Sequence, residues 1–133
     1  MRVVADTNVL VSALVFPGGP PEEVYRLAIL GRIRLISSPP LLAELGRVLV
    51  DKFGWAPARA NSAVEQVIRI GEIVQPQQRV QAVEADPADD RVLEAAAEGK
   101  ADAIASGDKH LLRLGSWRGI PVRKPADILA EFE

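Results

Sequence analysis

The acids Asp6, Glu44, Asp89, Asp90 and Asp108 carry most of the chemistry that this 133-residue chain offers. Asp6 ends the first apolar run, Val3-Val4-Ala5, and Asp108 closes a later one just after Ser106-Gly107. Glu44 and the pair Asp89-Asp90 fall on segments whose apolar spacing predicts helices leaning on the same core. A carboxylate near an apolar interior is costly unless a cation pairs with it or a metal takes it. The sequence offers these acids no obvious buried Arg or Lys, so a shared divalent ion is the simplest partner. Oxygen-only ligands suit Mg²⁺ or Mn²⁺ rather than zinc, and with no cysteine in the chain a thiolate site is excluded. The chemistry that fits is phosphodiester hydrolysis, in which the ion activates water and polarises the scissile phosphate.

Each acid also has an ordinary reading. Asp6 suits the N-cap of a helix over Thr7–Leu14, with Thr7 and Asn8 orienting its carboxylate or a water. Glu44 lies three residues after Leu41 and four before Val48, at the border of its helix's apolar face. There it is either aimed over the sheet end or paired on the surface near Arg47. Asp86 precedes a proline and reads as an N-cap, with Pro87 at the first helical position. Asp89 then shares a face with Val92, Leu93 and Ala96, the core-facing spacing. Asp90 falls about 100° further round, nearer solvent. Asp89 is therefore the expected ligand and Asp90 the alternative. Asp108 also suits the N-cap of a short helix over Lys109–Leu114.

The elements that must position these residues alternate. Strands are expected at Val3–Ala5, around Ile33–Ile36 and at Ala101–Ser106, with short edge strands at Ile73–Val74 and Ile120–Val122. Helices are expected at Pro21–Leu30, from Ser38 as N-cap through Pro39–Val50, at Ala58–Ile70, from Asp86-Pro87 to Gly99, and at Pro125–Phe132. Alternation of this kind implies an α/β sandwich on a mostly parallel sheet. Such sheets bind ligands outside the carboxyl ends of their strands, where Asp6 and Asp108 both fall.

Composition sets the outer bounds. The length suits one domain over residues 1–133. No apolar run approaches the roughly 20 residues of a membrane span. Asp6 comes too early for a secretory signal, so a cytoplasmic location is expected. The formal charge of −2 is not that of a typical nucleic-acid binder. Four metal-bound carboxylates would leave the remainder positive, however, and local field matters more than the total.

The ordered set Asp6-Thr7-Asn8, then Ser38 with Glu44, then Asp86-Pro87-Ala88-Asp89-Asp90, then Ala105-Ser106-Gly107-Asp108-Lys109-His110-Leu111-Leu112 resembles a PIN domain. The resemblance runs over essentially the whole chain. It is strongest to the stand-alone PIN proteins classed as VapC-like toxins of type II toxin–antitoxin systems. It implies a three-layer α/β sandwich and a Mg²⁺- or Mn²⁺-dependent endoribonuclease acting on RNA. Asp6, Glu44, Asp89 or Asp90, and Asp108 would take the family's acidic positions, with Ser106 beside the last acid and Asn8 in support. A homodimer and a small antitoxin reaching the acidic cleft are implied as partners. The helices Pro21–Leu30 and Pro39–Val50 are the expected self-complementary surface.

Other features add less. His110, the one histidine, reads as structural, and no glycine-rich phosphate loop or serine triad is present. Lys100, Lys109, Arg113, Arg118, Arg123 and Lys124 read mainly as a solvated face that includes some RNA-phosphate contacts. Trp55 and Trp117 read as peripheral packing rather than base-stacking platforms. Two other classes compete with the nuclease. An aspartyl-phosphate domain would use Asp6 as nucleophile, and is disfavoured because no lysine follows a strand in the required place. A non-catalytic binding module would use the acids only as caps and surface pairs.

Overall fold

The computed structural model describes residues 1–82 and 87–132. The expected cap at Asp86 lies outside the described residues. Strand β1 (Arg2–Ala5) leads into helix α1 (Thr7–Val15), followed by α2 (Pro20–Ile29), β2 (Arg34–Ser37) and α3 (Pro39–Asp51). Then come α4 (Pro57–Ile70), the two-residue β3 (Glu72–Ile73), α5 (Pro87–Glu98) and β4 (Ala103–Ala105). The chain closes with α6 (Lys109–Leu114), β5 (Ser116–Trp117), β6 (Ile120–Arg123) and α7 (Pro125–Ala130). Helices α2, α3, α4, α5 and α7 each begin on a proline, whose fixed φ and missing N–H suit that position. This is why α2 and α4 start at Pro20 and Pro57, one residue before the expected boundaries.

The strands form one sheet in the order β3-β2-β1-β4-β6-β5, parallel except for the β5–β6 pair. The pleat alternation divides the core cleanly. Val3, Ala5, Leu35 and Ala105 face α1, α2, α4, α7 and most of α3. Val4, Ile36 and Ile104 face α5 and α6. A three-layer sandwich follows, with β1 in the middle of the sheet.

Three expectations are corrected by the packing. Ile120–Val122 is not an edge strand, because β5 pairs outside it through a tight turn. Arg118 and Gly119 make that turn with φ of 51° and 80°, the left-handed pair that a two-residue hairpin requires. Pro121 is tolerated because the next residue, Val122, donates to Gly115 O at 2.8 Å. The apolar side of α3 is no free surface, since Leu41, Leu42, Leu45 and Leu49 are all buried within the chain. The expected cap at Ser38 has the right backbone position, but its hydroxyl makes no capping bond. No described helix is long and apolar enough to cross a membrane.

Candidate active site

The site grows from the carboxyl ends of the two central strands. Asp6 directly follows β1, and its N–H donates to Ala105 O at 2.9 Å, so the pairing with β4 extends one residue past the strand. Continued past the last paired residues, the registers set Ser38, Asp6 and Ser106 side by side. These positions follow Ile36, Val4 and Ile104 in the pleat, so they belong to the face covered by α5 and α6. All three are buried. Asp6 holds the N-cap position of α1 without making a side-chain capping bond. Its oxygen is engaged across the sheet instead: the Ser106 hydroxyl donates to Asp6 Oδ2 at 2.9 Å.

Ser106 also accepts. The Asp108 N–H donates to its Oγ at 2.9 Å, which ties the strand end to the start of α6. Asp108 caps α6, its Oδ2 accepting from the N–H groups of His110 (2.9 Å) and Leu111 (3.1 Å). On the other side Asp89, buried in the first turn of α5, acts on the Asp108 carboxyl and helps to hold its pKa down. The structure thus links Asp6, Ser106, Asp108 and Asp89 into one chain of polar contacts. Glu44 is half-buried on α3, the helix that begins at the same end of the sheet.

The two strand-end acids are driven apart in acidity. Burial pushes the Asp6 carboxyl above its ordinary range, and the nearby charge of Asp108 adds to this. The Ser106 hydroxyl and the N–H groups of Asn8 and Thr7 work in the other direction and do not win. For Asp108 burial also acts upward, but it is outweighed by the Leu111 and His110 N–H groups, the Asp89 contact and the charge of His110. Asp108 therefore lies below the usual carboxylate range.

Asp90 corrects the sequence reading. It is as buried as Asp89, not nearer solvent, and its Oδ1 accepts the Ala82 N–H at 3.0 Å. Ala82, at the end of the extended residues 77–82, closes on it, which the helical wheel alone could not reveal. Asn8 is exposed and lines a cleft of about 500 Å³ beside Asp108, together with Ser12, Lys109 and Pro125. Lys124 directly follows β6 at this same sheet end, so the absence of a strand-end lysine does not argue against phosphoryl chemistry. Both tryptophan rings are covered by arginine, Arg59 over Trp55 at 3.8 Å and Arg118 over Trp117 at 4.3 Å.

Metal fit follows from the donors. Among the described residues, no three His, Cys, Asp or Glu side chains converge closely enough to form a ready-made metal cluster. The chemistry of the donor set is nonetheless that of a hard cation: carboxylates and hydroxyls, with no sulfur. The buried hydroxyls of Thr7 and Ser38, next to Asp6 in sequence and in register, have no hydrogen-bond partner among the described residues. Buried polar atoms of that kind call for a ligand or an ordered water.

The chain is similar to known proteins over most of its length. The chain is 28% identical over 145 residues to the uncharacterized protein MJ1680 of Methanocaldococcus jannaschii, covering all of this chain and 92% of that one. Its fold is similar to a chain in the crystal structure of VapBC2 from Rickettsia felis bound to a DNA fragment from their promoter. That match has a TM-score of 0.67 at 14% identity and covers 93% of this chain and 98% of the other. The PIN domain family model matches residues 2–110, which is most of the sequence and includes every acid of the polar chain described above. The chain belongs to the PIN domain family.

Proposed function

We propose that this protein is a divalent-metal-dependent endoribonuclease, a single PIN domain over residues 1–133. The observation that carries the reading is the polar chain Asp6–Ser106–Asp108–Asp89 at the carboxyl end of a parallel sheet. Asp6, Asp89 and Asp108 would hold the ion, with Glu44 as a further ligand or as the base that orients the attacking water. When bound, Mg²⁺ or Mn²⁺ supplies charge stabilisation at the scissile phosphate and a more acidic water. The residues do the rest. Ser106 fixes Asp6 through its hydroxyl, and the N–H groups of His110 and Leu111 keep Asp108 ionised. Asp89 and Asp108 act on each other's carboxyl groups, and a divalent cation held by both would offset the repulsion between them. The cleft beside Asp108 offers Lys109 for backbone phosphate and Asn8 and Ser12 for hydrogen bonds to an RNA strand.

The same reading makes the chain the toxin of a toxin–antitoxin pair, supported by the fold it shares with a chain of the VapBC2 complex. The implied partner is a small antitoxin. If the toxin dimerises, the exposed Ile29 and Leu30 at the end of α2 are its best apolar surface, because α3 is consumed by the core. The experiment is cleavage of single-stranded RNA with Mn²⁺, with EDTA as control and the new ends sequenced. Metal-dependent cuts that disappear in Asp6→Asn and Asp108→Asn support the assignment. Undiminished cutting by both variants refutes it.

A further inference from the structure

The cleft beside Asp108 leads away along α1. Asn8 and Ser12 line it on that helix and Pro21 lines it on α2, so one rim follows the junction of the two helices. Residues four apart on a helix drift by only about 40°, which puts Asn8, Ser12 and Phe16 on one side of α1. The Phe16 N–H donates to Ser12 O at 3.0 Å, which keeps Phe16 in step with the last turn. Eight residues at 1.5 Å each carry this stripe about 12 Å from Asn8 to Phe16.

Phe16 is 62% exposed, and among the described residues no other aromatic side chain is exposed. Phe53 packs on the core and braces Phe16 edge to face, with ring centroids 5.7 Å apart and planes at 78°. The Lys52 ammonium lies 5.7 Å from the centre of the Phe53 ring. The connection from α1 to α2 is set by its backbone. Gly18 takes a φ of 103°, its N–H donates to Glu22 Oε1 at 2.9 Å, and Pro20 and Pro21 open α2. Glu22 lies 3.6 Å from Arg26, so its charge is offset.

A lone exposed apolar side chain is ordinary. This one is a rigid ring at the end of a cleft, with Lys52 at its side and Lys109 in the cleft itself. Rings interleaved with cations suit a single nucleic-acid strand, which sets bases on the rings and phosphates on the cations. The two tryptophan rings, by contrast, are each covered by an arginine.

We propose that Phe16, braced by Phe53 and flanked by Lys52, is a specificity-determining residue: an unpaired base of the RNA strand stacks on it while the backbone runs along the cleft to Asp108. The inference rests on the ribonuclease reading above and narrows its substrate to single-stranded segments. A base inside a duplex has both faces taken by its neighbours, whereas one in a single strand can be splayed onto a ring.

The experiment is binding of a short oligouridylate to the full chain, in EDTA and at low salt so that no cleavage intervenes. Phe16→Ala and Phe16→Leu should each weaken binding by about 5- to 100-fold, the range of one stacked base. Phe16→Tyr should stay near the unchanged protein. Phe16→Leu keeps an apolar contact on Phe53, and melting temperatures verify that each variant folds. An abasic strand of the same length should bind all of these chains equally. Lys52→Ala should lower the slope of log affinity against log salt by about 0.7, the value of one phosphate contact on a single strand. Unaltered uridylate affinity in Phe16→Leu overturns the proposal. An equal loss for the abasic strand makes Phe16 a packing residue and overturns it too. Loss of self-association in Phe16→Leu, with uridylate affinity intact, makes the patch a seam between copies of the chain and also overturns it. The ribonuclease reading fails separately if the bound strand is not cut when Mn²⁺ is added, and the stacking claim is then still decided by the affinities. Absence of uridylate binding by the unchanged protein overturns both.

Discussion

The Ser106 hydroxyl donates to Asp6 Oδ2 at 2.9 Å across the junction of β1 and β4. It accepts the Asp108 N–H at the same time, so one small side chain fixes both strand-end acids. Ser106→Ala removes both bonds without opening the core. Loss of a group that orients metal ligands typically costs about 10–100-fold in metal affinity or activity. A Mn²⁺ titration of Ser106→Ala should show a loss in that range, with Ser106→Thr close to the unchanged protein. An unaltered midpoint in Ser106→Ala would mean that Asp6 needs no such support.

Asp6 should oppose folding when no metal is bound. Its folded pKa is raised, chiefly by burial, so the native state holds the proton more tightly than the unfolded chain does. The stability this confers is full below the ordinary carboxylate value and is lost as pH rises through the raised folded value. Asp108 has the opposite sign: its lowered pKa adds stability above the ordinary value, lost as pH falls through the folded one. Metal-free Asp6→Asn should therefore melt higher than the unchanged protein above the ordinary carboxylate range and lack its decline as pH rises through the raised folded value. Parallel melting curves across that range would contradict the assignment.

Glu72 fastens the sheet edge from below. Arg2, at the start of β1, places Nη2 2.5 Å from Glu72 Oε2 on β3 and Nε 2.9 Å from Gly99 O, while Arg34 approaches the same carboxylate at 3.7 Å. The Arg2 hydrogen bond leads in holding the Glu72 carboxyl below its ordinary range, with the charges of Arg2 and Arg34 adding to it. The contribution is present above the ordinary glutamate value and lost as pH falls through the folded one. Glu72→Gln should lower the melting temperature at neutral pH and flatten its fall in acid. The difference should shrink in high salt, since such a pair is screened.

Gly71 is required by space, not by φ. A Cβ there would lie 2.9 Å from both Leu35 O and Val67 O, two backbone atoms that cannot turn aside. Gly71→Ala should cost about 1–3 kcal/mol by forcing α4 away from β2. Urea unfolding measures it, and a change below about 0.5 kcal/mol would show that the junction yields more easily than packed interiors do.

Much of this was legible in the sequence, for physical reasons that differ by residue. Asp6 and Asp108 could be placed because an apolar β-branched run ending in an acid is a strand end, and parallel sheets gather such ends on one side. Asp89 could be assigned a core-facing position because Val92, Leu93 and Ala96 declare the buried face of α5. Asp90 could not, because the Ala82 N–H that it accepts belongs to an extended segment, residues 77–82, that carries no periodic pattern. The three acids at fourfold spacing, Asp90, Glu94 and Glu98, were the available signal. Strand β5 was missed because two residues cannot show alternation, although Arg118-Gly119 is the kind of pair that closes a hairpin. Ser38 stands at the N-cap of α3 by its backbone, but its hydroxyl makes no capping bond and is buried without a hydrogen-bond partner among the described residues.

The central claim is that Asp6, Asp89 and Asp108 share one divalent ion. Anomalous diffraction from Mn²⁺-soaked crystals tests it most directly, because it locates the ion without reference to activity. A peak at the carboxyl ends of β1 and β4, within about 2.0–2.6 Å of carboxylate oxygens from all three residues, is the predicted result. Crystals at millimolar Mn²⁺ with no peak there, or with the ion held elsewhere, would contradict the account.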